Sequence, residues 1–171
     1  RFRGSEAVVR EAKKGAFKGV DIAIFSAGGD SILALAPIAV AEGAIVVDNS
    51  SAWRMDPTVP LVIPGVNPAA LDDHHGIIAN PNCSTIQMLV ALKPLHDAFN
   101  IKRVVVSTYQ AVSGTGGKAI AELSDQAKAF VEGRKPPVAV YPRQILFNAL
   151  PKVAVALDNG YREGGMRRVT Q

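Results

Sequence analysis

The sequence predicts an α/β protein whose first part is a parallel sheet with helices on both faces. Three observations predict it. Short strands that are apolar throughout alternate with helical runs in the first half, and such strands belong to sheets buried on both sides. Each of three strand ends is followed by small, polar or backbone-accessible residues: SAGGDS from Ser26, DNSSAWR from Asp48 and NPNCST from Asn80. After residue 100 this rhythm stops, and a strongly β-prone run opens a region of mixed character.

Residues 20–25, VDIAIF, read as a buried strand. A helical run at 32–42 follows and Gly43 ends it, with Pro37 marking an early turn or a kink. The next strand is 44–47, AIVV, and 61–63 and 76–79 read as further short strands. The clearest helix is 84–100, where Ile86, Leu89, Val90 and Leu95 form an apolar stripe near period 3.6. A β run at 102–111, KRVVVSTYQA, leads into a glycine-rich turn at 112–118. A helix is expected from 119 to 132, then a loop at 133–137 and a stretch from 138 onward broken by Pro142 and Pro151.

Composition narrows the function classes. The 171 residues suffice for a sizeable core, and 48% hydrophobic with 20% charged residues is not a disordered composition. No apolar run approaches the ~20 residues that span a bilayer. One cysteine cannot form an internal disulfide, so a cytoplasmic setting is expected. The net charge of +4 suits small anions such as phosphates. It does not suggest nucleic acid, because the basic residues are scattered rather than interleaved with aromatics. One Cys and three His show no ligand spacing, and no metal site is expected. The chain starts at Arg1 and ends at Gln171, and is expected to be an internal piece of a longer protein.

That single cysteine, Cys83, lies where an apolar run gives way to a polar turn and a helix begins. At a helix N-terminus, unpaired N–H groups and the positive end of the dipole favour thiolate over thiol. The same amides can stabilise an oxyanion on a substrate carbonyl or hold a phosphate. The position therefore suits covalent catalysis of acyl transfer. The bland alternative is an inert, buried thiol.

NPNCSTIQ, with STYQAVSGTG downstream, resembles the bacterial form of the aspartate-β-semialdehyde dehydrogenase family. SAGG, VVDNSSAWRMDP, VPLVIPGVNP, ALKPLHDAF and KRVVVSTYQAVSG match that family in order, over nearly the whole chain. The resemblance implies the latter part of a Rossmann-like NADP-binding domain at 1–83. It implies the first part of an α+β catalytic and dimerisation domain at 84–171, within a homodimer or tetramer. It also implies a reaction: NADPH reduces L-4-aspartyl phosphate to L-aspartate 4-semialdehyde through a thioester on Cys83, releasing phosphate.

Further roles follow from the resemblance. Gln110, 27 residues after Cys83, corresponds to the glutamine that orients the acyl substrate. Arg54 corresponds to the arginine that grips the phosphate, where a planar guanidinium suits a tetrahedral anion. Asn82 corresponds to an asparagine that shares that phosphate; its alternative role is helix capping. Ser26, Ala27, Gly28, Gly29 and Asn49 correspond to the cofactor side of the crevice, and Ser113 and Gly114 to a second cofactor contact. Trp53 stands where the family usually has phenylalanine, and Gly65 where it often has glutamate. His74 and His75 read as exposed loop residues and His96 as structural. The family's catalytic histidine, substrate arginine and later glutamate and lysine are expected beyond Gln171. A rival reading keeps the fold and drops the chemistry, leaving a binding or dimerisation module.

Overall fold

The computed structural model describes residues 4–151, and the expected mixed stretch from 152 onward lies outside them. The described residues divide into two units, the first ending at Ile101 and the second beginning at Lys102.

The first unit is built on three parallel strands in the order β1 (Ile22–Phe25), β2 (Ile45–Asp48), β3 (Ile77–Ala79). The register sets Phe25 beside Asp48 and Asp48 beside Ala79, so all three strands end on one edge. Helix α1 (Gly29–Ala41) crosses from β1 to β2. Its residues Ile32, Ala36 and Ala39 are fully buried in one cluster with Ala23, Phe25, Ala44 and Val46. Small residues on that stripe let helix and sheet approach closely, and burying Ile32 contributes about 1.5–3 kcal/mol. The helix begins at Gly29, three residues before the expected start at Ile32. Pro37 lies within it, removing one main-chain bond without ending the helix.

The expected stop at Gly43 is present as a Schellman motif: Gly43 N donates to Val40 O at 3.0 Å and Ala44 N to Ala39 O at 3.0 Å. Gly43 itself has φ +99°. Gly76, with φ +98°, enters β3 against α1; a Cβ there would lie 2.6 Å from Val40 Cγ1.

Two expectations are corrected. The stretch 61–63 is not a strand but a single parallel bridge, Leu61 to Ala79. Pro60 and Pro64 bracket it and lack N–H groups to extend a ladder. The Asn67 side chain takes the neighbouring groups instead, accepting from Ile63 N at 2.8 Å and donating to Leu61 O at 3.0 Å. The sheet is also not covered on both faces among the described residues. Ile22 is 61% and Ile24 78% exposed on the face opposite α1.

Helix α2 (Cys83–Phe99) closes the first unit. Its stripe is half-buried at Ile86 and Leu89, while Val90, Leu95 and Phe99 are exposed.

In the second unit, the β run 102–111 has no regular secondary structure and is not a strand. Its propensity is real, but a strand needs a hydrogen-bonded neighbour, and none pairs with it among the described residues. A short 3₁₀ turn (Val112–Thr115) leads into helix α3 (Gly117–Val131). Two polar side chains of α3, Glu122 and Gln126, are buried. The Glu122 carboxyl is held below its ordinary range, first by the Val140 N–H, against the opposing effect of burial, with the Ala139 and Tyr141 N–H groups adding to it.

Candidate active site

Because the three strands end together, the loops that follow them share the carboxyl edge of the sheet, where ligands of open α/β sheets bind. The main chain ties these loops in sequence. Asn49 N donates to Phe25 O at 2.9 Å and Asn80 N to Asp48 O at 3.1 Å. Asn49 Nδ2 reaches Ser26 Oγ at 3.4 Å.

The loop after β2 is shaped by Asp48, a residue whose role does not stand out in the sequence. Its fully buried carboxyl group accepts from Ser50 N at 2.8 Å and Ser50 Oγ at 3.0 Å. Ser50 Oγ in turn accepts from Ala52 N at 3.0 Å. An Asp at a strand end followed by Asn-Ser-Ser was the available signal, since Asp side chains bond the chain two residues on. This turn sets the half-buried Trp53 against the core cluster, where its buried Nε1 finds no hydrogen-bond partner among the described residues. It also presents Arg54, whose Nε donates to Asn80 O at 2.8 Å and Nη2 to Asn49 O at 3.2 Å. The guanidinium thus staples the loops after β2 and β3, a role that sequence did not reveal.

The loop after β3 delivers the thiol. Asn82 caps α2: its Oδ1 accepts from Ser84 N at 3.0 Å and Ser84 Oγ at 2.6 Å. Cys83 is the first residue of that helix, and its Sγ lies 3.8 Å from the same Oδ1. The thiol is exposed rather than buried.

At the end of β1, Ser26, Ala27 and Gly28 are exposed. Gly28 is the N-cap of α1 and offers no side-chain cap, leaving first-turn N–H groups for a ligand. A Cβ at Gly28 or Gly29 would meet nothing within 4 Å, so the backbone is open to close approach. These features fit a nicotinamide cofactor.

Gln110, Ser113 and Gly114 belong to the second unit. Gln110 is exposed, with Nε2 3.4 Å from Thr108 Oγ1. Ser113 and Gly114 sit in the 3₁₀ turn, where Gly114 N donates to Ala111 O at 3.2 Å and Gly116 N to Ser113 O at 3.1 Å. His74 is half-buried rather than exposed, because its Nδ1 accepts from Gly76 N at 3.1 Å. Among the described residues no three His, Cys, Asp or Glu side chains gather as a metal site, and no helix is long and apolar enough to cross a membrane.

A parallel sheet with a thiol on the first turn of a helix at its carboxyl edge agrees with two family matches. Residues 2–74 match the semialdehyde dehydrogenase NAD-binding domain, and residues 92–171 match the semialdehyde dehydrogenase dimerisation domain. The chain belongs to the semialdehyde dehydrogenase family. Its similar relatives are aspartate-semialdehyde dehydrogenases: that of Aquifex aeolicus is 58% identical over 94% of this chain and 48% of its own length. That of Bacillus subtilis is 49% identical over 99% of this chain and 51% of its own. The crystal structure of aspartate semialdehyde dehydrogenase II from Vibrio cholerae, complexed with ASA, aligns with TM-score 0.90 and 44% identity, over 96% of this chain and 49% of that one. The chain thus spans about half the length of the relatives it matches.

Proposed function

We propose that this chain carries the nucleophile-bearing part of a phosphorylating aspartate-semialdehyde dehydrogenase that uses NADP. The reaction is reduction of L-4-aspartyl phosphate to L-aspartate 4-semialdehyde, serving lysine, threonine, methionine and diaminopimelate synthesis in the cytoplasm. The observation that carries the reading is the exposed Cys83 at the first position of α2, on the edge where the loops of Ser26, Asn49 and Arg54 also end.

The Cys83 sulfur attacks the acyl carbon, the bond to the phosphate oxygen breaks, and phosphate leaves a thioester on Cys83. First-turn N–H groups of α2 stabilise the oxyanion formed on the way. The cofactor, when bound, supplies the hydride that reduces the thioester carbon. Expulsion of the Cys83 thiolate then gives the aldehyde. Gln110 orients the acyl group, through an amide that both donates and accepts. Arg54 and Asn82 take the phosphate. Ser26, Ala27, Gly28, Gly29, Asn49, Ser113 and Gly114 form the cofactor contacts. In this reading the cofactor domain is 1–83 and the catalytic domain begins at 84, upstream of the unit boundary at Ile101.

Cys83→Ser in the natural gene product should lower the rate by several orders of magnitude, as removal of a covalent nucleophile does. The test is the steady-state rate with aspartate semialdehyde, phosphate and NADP. A variant within tenfold of the parent would refute the covalent role. The 171-residue chain alone is expected to show no turnover in this assay.

The match of 92–171 to a dimerisation domain supports a homo-oligomer as the assembled form. It also keeps the module reading alive. A natural gene product that associates but shows no turnover would favour that reading over the enzyme.

A further inference from the structure

The second unit contains a polar device that the reaction above does not use. Glu122 is 5% and Gln126 0% exposed, one helical turn apart on α3. Hydrophobic residues would serve a plain core position at lower desolvation cost. These two side chains instead hold the main chain of the loop that follows α3. The Glu122 carboxylate accepts from Ala139 N at 3.0 Å and from Val140 N. Gln126 Nε2 donates to Pro137 O at 2.7 Å and to Glu122 Oε1 at 3.1 Å. Gln126 Oε1 accepts from Ile145 N at 3.1 Å and Leu146 N at 2.9 Å. The loop is therefore pinned on both sides of Tyr141. From that place the Tyr141 hydroxyl donates to Thr115 Oγ1 at 2.9 Å. Thr115 is the last residue of the 3₁₀ turn that holds Ser113 and Gly114.

We propose that Glu122 and Gln126 are positioning residues that fix the 112–115 turn through a Tyr141–Thr115 clamp. The turn is joined to α3 directly at Gly116, the helix N-cap, and indirectly at Thr115 through the pinned loop. A satisfied buried polar network specifies one geometry where an apolar contact would allow several. Its consequence for the cofactor rests on the role given above to Ser113 and Gly114: a turn ordered in advance lowers the entropy cost of binding. One exposed hydroxyl pair of this kind corresponds to about a three- to tenfold effect.

The test measures amide exchange at 112–117 and NADPH affinity in the natural gene product. Tyr141→Phe and Thr115→Val should each speed exchange at 112–117 and weaken NADPH about three- to tenfold. Thr115→Ser, which keeps the hydroxyl, should restore both. Glu122→Gln should loosen 137–141 and 112–117 together, while the Cys83 alkylation rate stays unchanged throughout. Unchanged exchange at 112–117 in Tyr141→Phe would overturn the clamp. So would a Glu122→Gln variant that loosens 137–141 alone. NADPH affinity of the natural gene product that is unchanged in both Tyr141→Phe and Thr115→Val would instead refute the cofactor role of Ser113 and Gly114, and the exchange data would still decide the clamp.

Discussion

Replacing Asn82 with aspartate separates two jobs that one atom performs. Asn82 Oδ1 caps α2 through Ser84 and lies 3.8 Å from Cys83 Sγ. Aspartate caps a helix as well as asparagine does, so the fold should keep its stability. It also sets a negative charge beside the sulfur. At that distance two unit charges repel by about 1 kcal/mol in water and about 4 kcal/mol at an effective dielectric of 20. Cys83 is exposed, so the lower figure applies, which is about a fivefold smaller thiolate fraction at fixed pH. The assay is the iodoacetamide rate at neutral pH and low salt, with thermal unfolding alongside. Asn82→Asp should alkylate about fivefold more slowly with an unchanged midpoint, and added salt should narrow the gap. Asn82→Ala should lose about 0.5–2 kcal/mol of stability by removing the cap. An Asn82→Asp rate equal to the parent's would refute electrostatic coupling of the cap to the thiol. Equal slowing in both variants would attribute the effect to helix order instead.

Two other expectations concern the scaffold. Gly76→Ala meets both a positive φ and the stiff Val40 side chain, and should cost about 1–3 kcal/mol in denaturant unfolding, with Val40→Ala recovering part of it. Glu122 has a folded pKa below its unfolded value, so its contribution is fully present above the unfolded value of ~4.3 and is lost as pH falls through the lower folded value. Proteolytic protection of 137–141 should therefore drop in that acid window, and Glu122→Gln should abolish the pH dependence; a drop that persists in the variant would refute the assignment.

Elements whose signal is local were legible in the sequence. β1, β2, β3 and α2 fall within a residue or two of their apolar runs, and Gly43 ends α1 by a mechanism that glycine alone makes easy. The start of α1 was hidden because Gly28 caps it without a side chain. The run 102–111 was misjudged because strand propensity does not supply a partner. At the site, Ser26, Asn49, Arg54, Asn82 and Cys83 could be placed together because each follows a strand and parallel strands end on one edge. The work of Asp48 and Asn80 was less visible, since it passes through turns and main-chain carbonyls. The Glu122, Gln126 and Tyr141 contacts join residues far apart in sequence, and no periodicity announces them.

The unpaired run 102–111 also bears on how the chain should behave at concentration. Val104 is 49%, Val105 79%, Val106 49% and Tyr109 93% exposed in a segment with open main-chain groups. A window of this kind offers a template for pairing with another copy. Lys102 and Arg103 stand at its head as gatekeepers, and their repulsion between copies acts over a Debye length of about 10 Å at 0.1 M salt. Raising the salt in a clear solution of the chain should therefore weaken that repulsion before anything in the sheet has changed.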